Sequence, residues 1–419
     1  MASTLNKIEK ICIEAKNASY KLSNSSNLDR NKALRIIAGA LEKNKNKILL
    51  ANKKDITKAK KDKLSESLID RLSLNQDRVK NICDDVRNIS KLSDPLKKKL
   101  SSTTRPNGLT ISKVSVPLGV VAVIFESRPN VAADVASLCI KSGNVVILKG
   151  GKEAKNTTEM IIEIIQRSLI RTNISPRSVI SIKDYSREAV NFLFKMDKYI
   201  DVLIPRGGKG LISQVRDKSK IPIFSHLDGI CHTYIDKYAS REMAVMVAFN
   251  AKMRRTSICG ATETILCHSE IADYVLPKLI DVLIESGCII RGDSKVKKYN
   301  KGVTTANELD WSTEYLDAVV SIKIVSNITA AIKHINYYSS KHTDAIITKN
   351  KKMANFFLDN IESAIVMHNT STQFADGAEF GLGAEVGIST GKLHARGPVS
   401  LEGLTTYKYI VRGNGQIRN

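Results

Sequence analysis

From residue 118 onward the sequence alternates short apolar strands with helical segments, and this alternation restricts the fold more than any other feature. Apolar strand patterns at 120–125, 145–148 and 202–204 are each followed by a helical pattern. Strands that are joined through helices pair in parallel, with the helices packed on both faces of the sheet. The pattern therefore predicts an α/β protein with a doubly wound parallel sheet.

The segments on either side of this region have different hydrophobic patterns and predict additional structural elements. Residues 1–95 have helical spacing, whereas the region 103–116 alternates around Pro106-Asn107-Gly108, which is typical of a β-hairpin. A second α/β segment runs from about 232 to 400, and the tail at 405–412 alternates again. At 419 residues, two or three domains are expected.

Composition narrows the class of ligand. The formal net charge is +23, but the lysines are spread along the chain and aromatic residues make up only 5%. Proteins that bind single-stranded nucleic acid stack bases on aromatic side chains, which are scarce here. We therefore expect no nucleic-acid partner, although the positive charge favours anionic small molecules.

The same sequence predicts neither secretion nor membrane insertion. No apolar run approaches the roughly 20 residues of a membrane helix, and the first 20 residues carry two glutamates and no apolar signal core. The seven cysteines are odd in number, scattered and without a Cys-x-x-Cys pair. These features predict reduced thiols in the cytoplasm, with no disulfide framework and no metal site.

Cys259 is the strongest candidate for a nucleophile. It lies between small residues and follows Arg254 and Arg255, at a point where a helix could begin. Positive charge and a helix start each lower the pKa of a thiol, and the thiolate is the reactive form. A buried core cysteine is the alternative. Cys231 next to His232 is less convincing, because neighbours in a strand point to opposite faces.

Two further segments suit an anionic ligand. Lys149 and Lys152 follow a buried strand, where a lysine can reach a ribose or phosphate, with a solvated side chain as the alternative. Gly207 and Gly208 follow the strand at 202–204 and open a helix, whose first amides can bind an anion. The seven histidines do not cluster along the sequence.

The distinctive motifs lie in seven stretches between residue 117 and residue 410. Among them are LIPRGGKGLI at 203–212 and MRRTSICGATETI within 249–265. The stretches are 117–151, 203–212, 226–236, 249–265, 312–325, 339–348 and 371–410. In this order they resemble the gamma-glutamyl phosphate reductase family, a branch of the aldehyde dehydrogenase superfamily. Residues 1–100 resemble it only in helical character and length.

The resemblance implies an aldehyde-dehydrogenase-like architecture with three parts. Residues 1–101 and 118–231 would form a doubly wound NADPH-binding domain, and 232–398 an α/β catalytic domain. Residues 102–117 and 399–419 would form a small β arm for homo-oligomerisation.

The resemblance also assigns site residues. Cys259 falls on the catalytic cysteine, Lys149 on the lysine that holds the adenosine ribose, and Glu314 on the glutamate that steadies the nicotinamide ribose. Gly207 and Gly208 match the turn near the cofactor phosphates. Many NAD-dependent relatives have an acid near the position of Lys152, and an acid repels a 2′-phosphate, so NADPH is the expected cofactor.

Two departures from ordinary aldehyde dehydrogenases concern the reaction. The oxyanion asparagine is replaced within 126–130, where either Arg128 or Asn130 takes its place, and an arginine suits an acyl phosphate. The glutamate that activates water is missing from 226–229, as expected of a reductase that must avoid hydrolysis. Arg396 and Arg206 are candidate anion contacts, with structural pairing as the alternative, and His342 has no assigned role.

The reaction implied is the NADPH-dependent reduction of L-glutamyl 5-phosphate to L-glutamate 5-semialdehyde, through a Cys259 thioester, as the second step of proline biosynthesis. A separate glutamate 5-kinase is a possible partner. A hydrolytic NAD(P)-dependent aldehyde dehydrogenase, a basic nucleic-acid-binding protein and a purely structural protein remain as alternatives.

Overall fold

The computed structural model describes residues 2–418 and divides the chain into two compact units. The first unit comprises Met1–Ser225, Gly381–Gly387 and Pro398–Asn419, and the second comprises His226–Phe380 and Ile388–Gly397. The domain boundaries and domain roles expected from the sequence stay predictions.

The first unit combines nine described helices with a parallel sheet. The helices are α1 (Ala2–Ser23), α2 (Asn27–Lys43), α3 (Lys45–Lys61), α4 (Glu66–Leu72), α5 (Gln76–Lys91), α6 (Val131–Lys141), α7 (Lys155–Leu169), α8 (Arg187–Leu193) and α9 (Lys209–Lys218). The strands are β1 (Lys99–Thr104), β2 (Thr110–Pro117), β3 (Val120–Phe125), β4 (Val145–Gly150), β5 (Val179–Ser181) and β6 (Val202–Arg206). Every residue of β3 and β4 is buried, which explains their continuous apolar sequence.

The parallel sheet of this unit has the order β5-β4-β3-β6. The chain moves outward from β3 through β4 to β5, and then returns to place β6 on the other side of β3. Ligands of open α/β sheets bind at the carboxyl ends of the strands where the order reverses. The loops after β3 and β6 lie at this reversal.

The second unit is built on a larger sheet. Its strands are β7 (Cys231–Ile235), β8 (Thr262–His268), β9 (Ile289–Gly292), β10 (Thr304–Thr305), β11 (Val319–Val325), β12 (Thr343–Ile347) and β13 (Ile365–His368). They pair in parallel in the order β10-β9-β11-β8-β7-β12-β13. Its helices are α10 (Arg241–Met253), α11 (Ser269–Glu285), α12 (Ile328–Tyr338) and α13 (Lys351–Asn360). The predicted α/β class with parallel sheets is confirmed.

Two short strands, β14 (Gly387–Ser389) and β15 (Gly397–Val399), span two of the four points where the chain passes between the units. The last strand, β16 (Thr405–Arg412), pairs antiparallel with β2, which in turn pairs with β1. The hairpin expected around Pro106-Asn107-Gly108 is confirmed, and the tail adds the third strand of its sheet. The role of this sheet in oligomerisation stays a prediction.

Two general features of the described chain complete the fold. None of its helices combines the length and the apolar character needed to span a bilayer. All seven cysteines are free thiols, and six of them are buried.

Candidate active site

The second unit gathers three residues that lie far apart in the sequence. His226 precedes β7, Cys259 precedes β8 and His342 precedes β12. These three strands are neighbours in the parallel sheet, so their amino ends meet at one edge. One ligand-type atom from each of the three side chains lies within 4.8 Å of the others. The loops before three adjacent strands therefore build one cluster.

Cys259 is half-buried in the turn between α10 and β8. Burial alone raises the pKa of its thiol, but the charge on His342 and a hydrogen bond from His226 outweigh burial and hold the pKa well below its usual value. A lowered pKa makes the thiolate available at neutral pH. The expected helix start is wrong, because Cys259 lies in a turn, and the strongest lowering effects come from histidines instead of arginines.

The second cysteine at this edge has the opposite character. The Sγ of Cys231 donates to the carbonyl oxygen of Cys259 at 3.1 Å and lies 3.7 Å from the Nδ1 of His342. Burial raises the pKa of Cys231 well above its usual value, so it remains a neutral thiol. The neighbouring His232 instead contacts Asp344, with its Nδ1 at 2.9 Å from the carboxylate. Cys231 and His232 thus use opposite faces of β7, as expected.

Close backbone contact fixes the loop that carries His226. A Cβ atom on Gly229 would lie 2.2 Å from the carbonyl oxygen of Cys259, which no side chain tolerates. The amide of Gly229 donates to Oε1 of Glu314 at 2.8 Å. Glu314 therefore positions the loop beside Cys259, in addition to any contact with a ribose.

A buried ion pair supports Glu314 in turn. Lys252 and Glu263 are fully buried and bonded to each other. The second oxygen of Glu263 accepts the amide of Leu316 at 3.2 Å, two residues after Glu314. Burial raises the pKa of Glu263 to about 7 against the opposing effect of Lys252. This pair thus anchors the segment that holds the Gly229 loop.

In the first unit, Lys149 lies at the carboxyl end of β4. Its side chain is only 5% exposed, and its Nζ donates to the carbonyl oxygen of Gly150 at 3.1 Å. The Nζ also lies 4.8 Å from the ring centroid of Tyr185. Burial lowers the pKa of Lys149, with Asp184 opposing the change. A buried amine with a single hydrogen-bond acceptor among the described residues fits the hydroxyls of a ribose.

The loops after β3 and β6 are joined by Glu126. Its Oε2 accepts the amide of Gly208 at 3.0 Å, at the start of α9. A Cβ on Gly207 would lie 2.3 Å from the same oxygen, so a larger residue there would displace the Glu126 carboxylate from the amide of Gly208. Gly208 is the N-cap residue of α9 and makes no side-chain capping bond. Because the amide of Gly208 already donates to Glu126, a phosphate bound here would have to use the next amides of α9.

The two candidates for the oxyanion donor occupy the loop after β3. Asn130 donates through its Nδ2 to Asp134 at 2.9 Å, and this bond occupies one of its two amide hydrogens. The side chain of Arg128 is half-buried. Glu153 accepts both the amide and the hydroxyl of Ser127, at 2.6 and 3.0 Å. Ser127 has a φ of 46°, a strained value for serine. Glu153 therefore fixes the conformation of this loop.

Comparisons with known proteins agree with this geometry. The model of the aldehyde dehydrogenase family matches residues 1–287. A curated gamma-glutamyl phosphate reductase of Paramagnetospirillum magneticum is 46% identical over 404 residues, covering 96% of both chains. That of Rhodospirillum rubrum is 48% identical over 389 residues, covering 93% of this chain and 91% of the relative. The chain belongs to the gamma-glutamyl phosphate reductase family.

Solved structures support the same assignment. The crystal structure of the gamma-glutamyl phosphate reductase of Thermotoga maritima is 40% identical, covers 98% of this chain and 100% of its own, and superposes with a TM-score of 0.96. An acetylating aldehyde dehydrogenase of Geobacillus thermoglucosidasius has a TM-score of 0.70 at 16% identity, covers 100% and 99% of the two chains, and shares the fold. The aldehyde-dehydrogenase-like fold is therefore confirmed, and the chain is an oxidoreductase of a family that uses a nicotinamide cofactor.

Membership in the gamma-glutamyl phosphate reductase family does not show whether Arg396 and Arg206 bind an anionic ligand. Arg396 donates to the carbonyl oxygen of Glu362 at 2.7 Å and to its carboxylate at 3.1 Å. This is the structural pairing named above as the alternative. Arg206 ends β6, and its side chain lies against Gly387, where a Cβ would approach Cδ to 3.2 Å. Neither contact identifies a substrate group.

Sequence reasoning missed the two histidines. His226 and His342 are 116 positions apart, and no local motif marks either one as a partner of Cys259. The signal that identifies them is the register of β12 beside β7, where Asp344 pairs with His232. That register is visible only once the sheet is known.

Proposed function

We propose that this chain reduces L-glutamyl 5-phosphate to L-glutamate 5-semialdehyde with release of phosphate, using NADPH and a thioester on Cys259. The curated relatives that it matches over nearly its full length bear the name gamma-glutamyl phosphate reductase. The observation that carries the mechanism is the half-buried Cys259 with a lowered pKa between two imidazoles. Such a thiolate is a ready nucleophile.

In this mechanism the Cys259 thiolate attacks the acyl carbon, and the carbon–oxygen bond to phosphate breaks. Phosphate leaves as an anion, so no strong acid is required at the leaving group. His226 and His342 stabilise the thiolate before attack and receive it again when the product departs. The backbone amide of Cys259 would be one donor for the oxyanion, with Arg128 or Asn130 as the predicted second donor.

The cofactor half of the proposal uses residues at the carboxyl edge of the first sheet. When bound, NADPH supplies the hydride that reduces the thioester. Lys149 would hold the adenosine ribose, Lys152 would attract the 2′-phosphate, and the turn at Gly207 and Gly208 would lie near the phosphates. Lys152 is exposed and follows Lys149 by three residues, which supports this assignment.

The test is the reverse reaction, in which the semialdehyde is oxidised with NADP⁺. Phosphate-dependent oxidation is expected for the wild type and should vanish in Cys259→Ala. Activity above about a hundredth of the wild type would contradict a thioester path, because loss of a nucleophile removes far more. Oxidation that does not need phosphate would instead indicate a hydrolytic aldehyde dehydrogenase.

Cys288→Ala is the matched control. Cys288 is a buried thiol whose pKa is raised to about 11 by burial. It contacts no residue of the cluster, so the control should keep most of the activity.

Assembly and location remain further proposals. Tyr409 and Val411 on β16 are 62% and 56% exposed, which supports a protein contact on this strand and hence a homo-oligomer. Free thiols throughout support a cytoplasmic location. A docking glutamate 5-kinase stays a prediction.

A further inference from the structure

The cluster of His226, Cys259 and His342 contains more metal-binding side chains than a nucleophilic cysteine needs. A thiolate and two imidazoles are the ligands that zinc and other borderline metal ions prefer over oxygen donors. Each side chain contributes one ligand-type atom, and the atoms lie within 4.8 Å of one another. No other group of three such ligands occurs in the described chain.

The histidines are also oriented as metal ligands usually are. Ligating histidines use their second ring nitrogen to donate to a carbonyl or a similar acceptor. The Nδ1 of His226 lies 2.8 Å from the carbonyl oxygen of Ile388, and that of His342 lies 2.9 Å from the hydroxyl of Thr343. With one proton of each ring on Nδ1, both Nε2 atoms can bind a metal ion once it displaces the proton that each imidazole shares with the Cys259 thiolate.

The Nε2 of His342 supplies an independent observation. His342 is fully buried, and this nitrogen has no hydrogen-bond partner of normal geometry among the residues that the structure describes. Buried polar atoms without a partner are uncommon and call for an explanation. The Cys259 thiolate, whose pKa His342 lowers, is the group near this nitrogen, and an ion held between the two would give the nitrogen a bond of normal length.

We infer that His226, Cys259 and His342 form a Zn²⁺ site whose occupation inhibits the enzyme. Tetrahedral zinc with bonds of about 2.0–2.3 Å places its ligand atoms roughly 3.4–3.6 Å apart. The three atoms must therefore close by little more than about 1 Å, which side-chain rotation permits. Three protein ligands leave a fourth position for water.

Occupation of the site would block the reaction at its first step. Coordination to Zn²⁺ withdraws electron density from the Cys259 sulfur, and the ion takes up space beside it, so a zinc-bound enzyme should be acylated far more slowly. Hard ions such as Mg²⁺ prefer oxygen ligands and should have no effect. This inhibition rests on the proposed role of Cys259, whereas metal binding does not.

The test measures binding without substrate or cofactor. The full-length chain is titrated with Co²⁺, which substitutes for zinc and gives a thiolate-to-cobalt absorption band, and then with Zn²⁺ as a competitor. One ion per chain with this band is expected. His226→Gln and His342→Gln should each weaken binding at least about tenfold, and Cys259→Ser should abolish the band.

His394→Gln is the matched control, because His394 is exposed and outside the cluster. Its affinity should equal that of the wild type. Binding that is unchanged in either histidine variant would overturn the three-ligand site, as would a band that survives Cys259→Ser. Carbamidomethylation of Cys259 in the wild type repeats the test without risk of misfolding, and a band that persists after it also contradicts the site.

Inhibition is then measured separately in the phosphate-dependent oxidation assay. Zn²⁺ should inhibit the wild type, and a chelator should restore activity. An enzyme that binds zinc with all three ligands but keeps its activity would overturn the inhibition and leave the metal site intact, while the Cys259→Ala assay tests the nucleophile separately. An active enzyme that binds no zinc would overturn the metal site alone.

Discussion

The reactivity of Cys259 should depend on its two imidazole neighbours, and replacing them provides the sharpest test of the site. Burial raises the pKa of the thiol, whereas His342 and then His226 lower it. In the double variant His226→Gln/His342→Gln only the effect of burial remains. We therefore expect the pKa of Cys259 to lie at or above the ordinary value of about 8.5.

The magnitude follows from the fraction of thiolate. A thiol with a pKa of about 8.5 is about 3% ionised at pH 7, so its alkylation rate should rise about 30-fold between pH 7 and the high-pH plateau. The wild type, whose thiol is already ionised, should show almost no rise over this range. Each protein is compared with its own plateau, since intrinsic nucleophilicity also changes with pKa.

The assay is the rate of iodoacetamide modification at Cys259, followed by mass spectrometry from pH 5 to 10. The single variants should fall between the extremes, with His342→Gln shifted further than His226→Gln. Circular dichroism and the melting temperature check the fold, because His342 is buried. A double variant whose profile is as flat as that of the wild type would show that another group ionises Cys259, and would refute this account.

Three further changes test the surrounding structure. Lys152→Glu should raise the KM for NADPH more than that for NADH, and equal changes would remove Lys152 from the 2′-phosphate site. Lys252→Met leaves Glu263 buried without its partner and should cost about 3–5 kcal/mol in the free energy of unfolding, measured by denaturant titration; a loss below about 1 kcal/mol would contradict this. Gly229→Ala forces a Cβ against the Cys259 carbonyl, so the loop must shift; kcat for reduction should fall at least about tenfold and the melting temperature should also fall, and full activity would show that the loop is free to move.

The parts that sequence predicts well are those set by local pattern. The continuous apolar runs of β3 and β4 favour buried parallel strands, and Pro106-Asn107-Gly108 favours a turn, as found between β1 and β2. Each of these segments carries its own signal. Strand order carries no such signal, since it is set by how the crossovers pack.

The candidate site shows the same division. The sequence motif identifies Cys259, but the arginines that precede it are not the groups that lower its pKa most, which are His342 and His226. Arg254 and Arg255 are exposed, whereas His342, 83 positions away, lies beside the sulfur. A local pattern can thus identify a nucleophile without identifying the groups that activate it.

The supporting residues show why such groups resist prediction. Lys252, Glu263 and Glu314 act on Cys259 through a relay of contacts: the ion pair holds the amide of Leu316, and Glu314 holds the amide of Gly229. Each contact crosses between segments that are joined only by the packing of the sheet. A substitution along this relay changes the position of His226 without contacting the sulfur. Its effect on the reaction rate should therefore be larger than expected for a residue that lies outside any catalytic motif. In the proposed mechanism the chemistry is therefore local at Cys259, but the activation of this cysteine depends on the register of three strands.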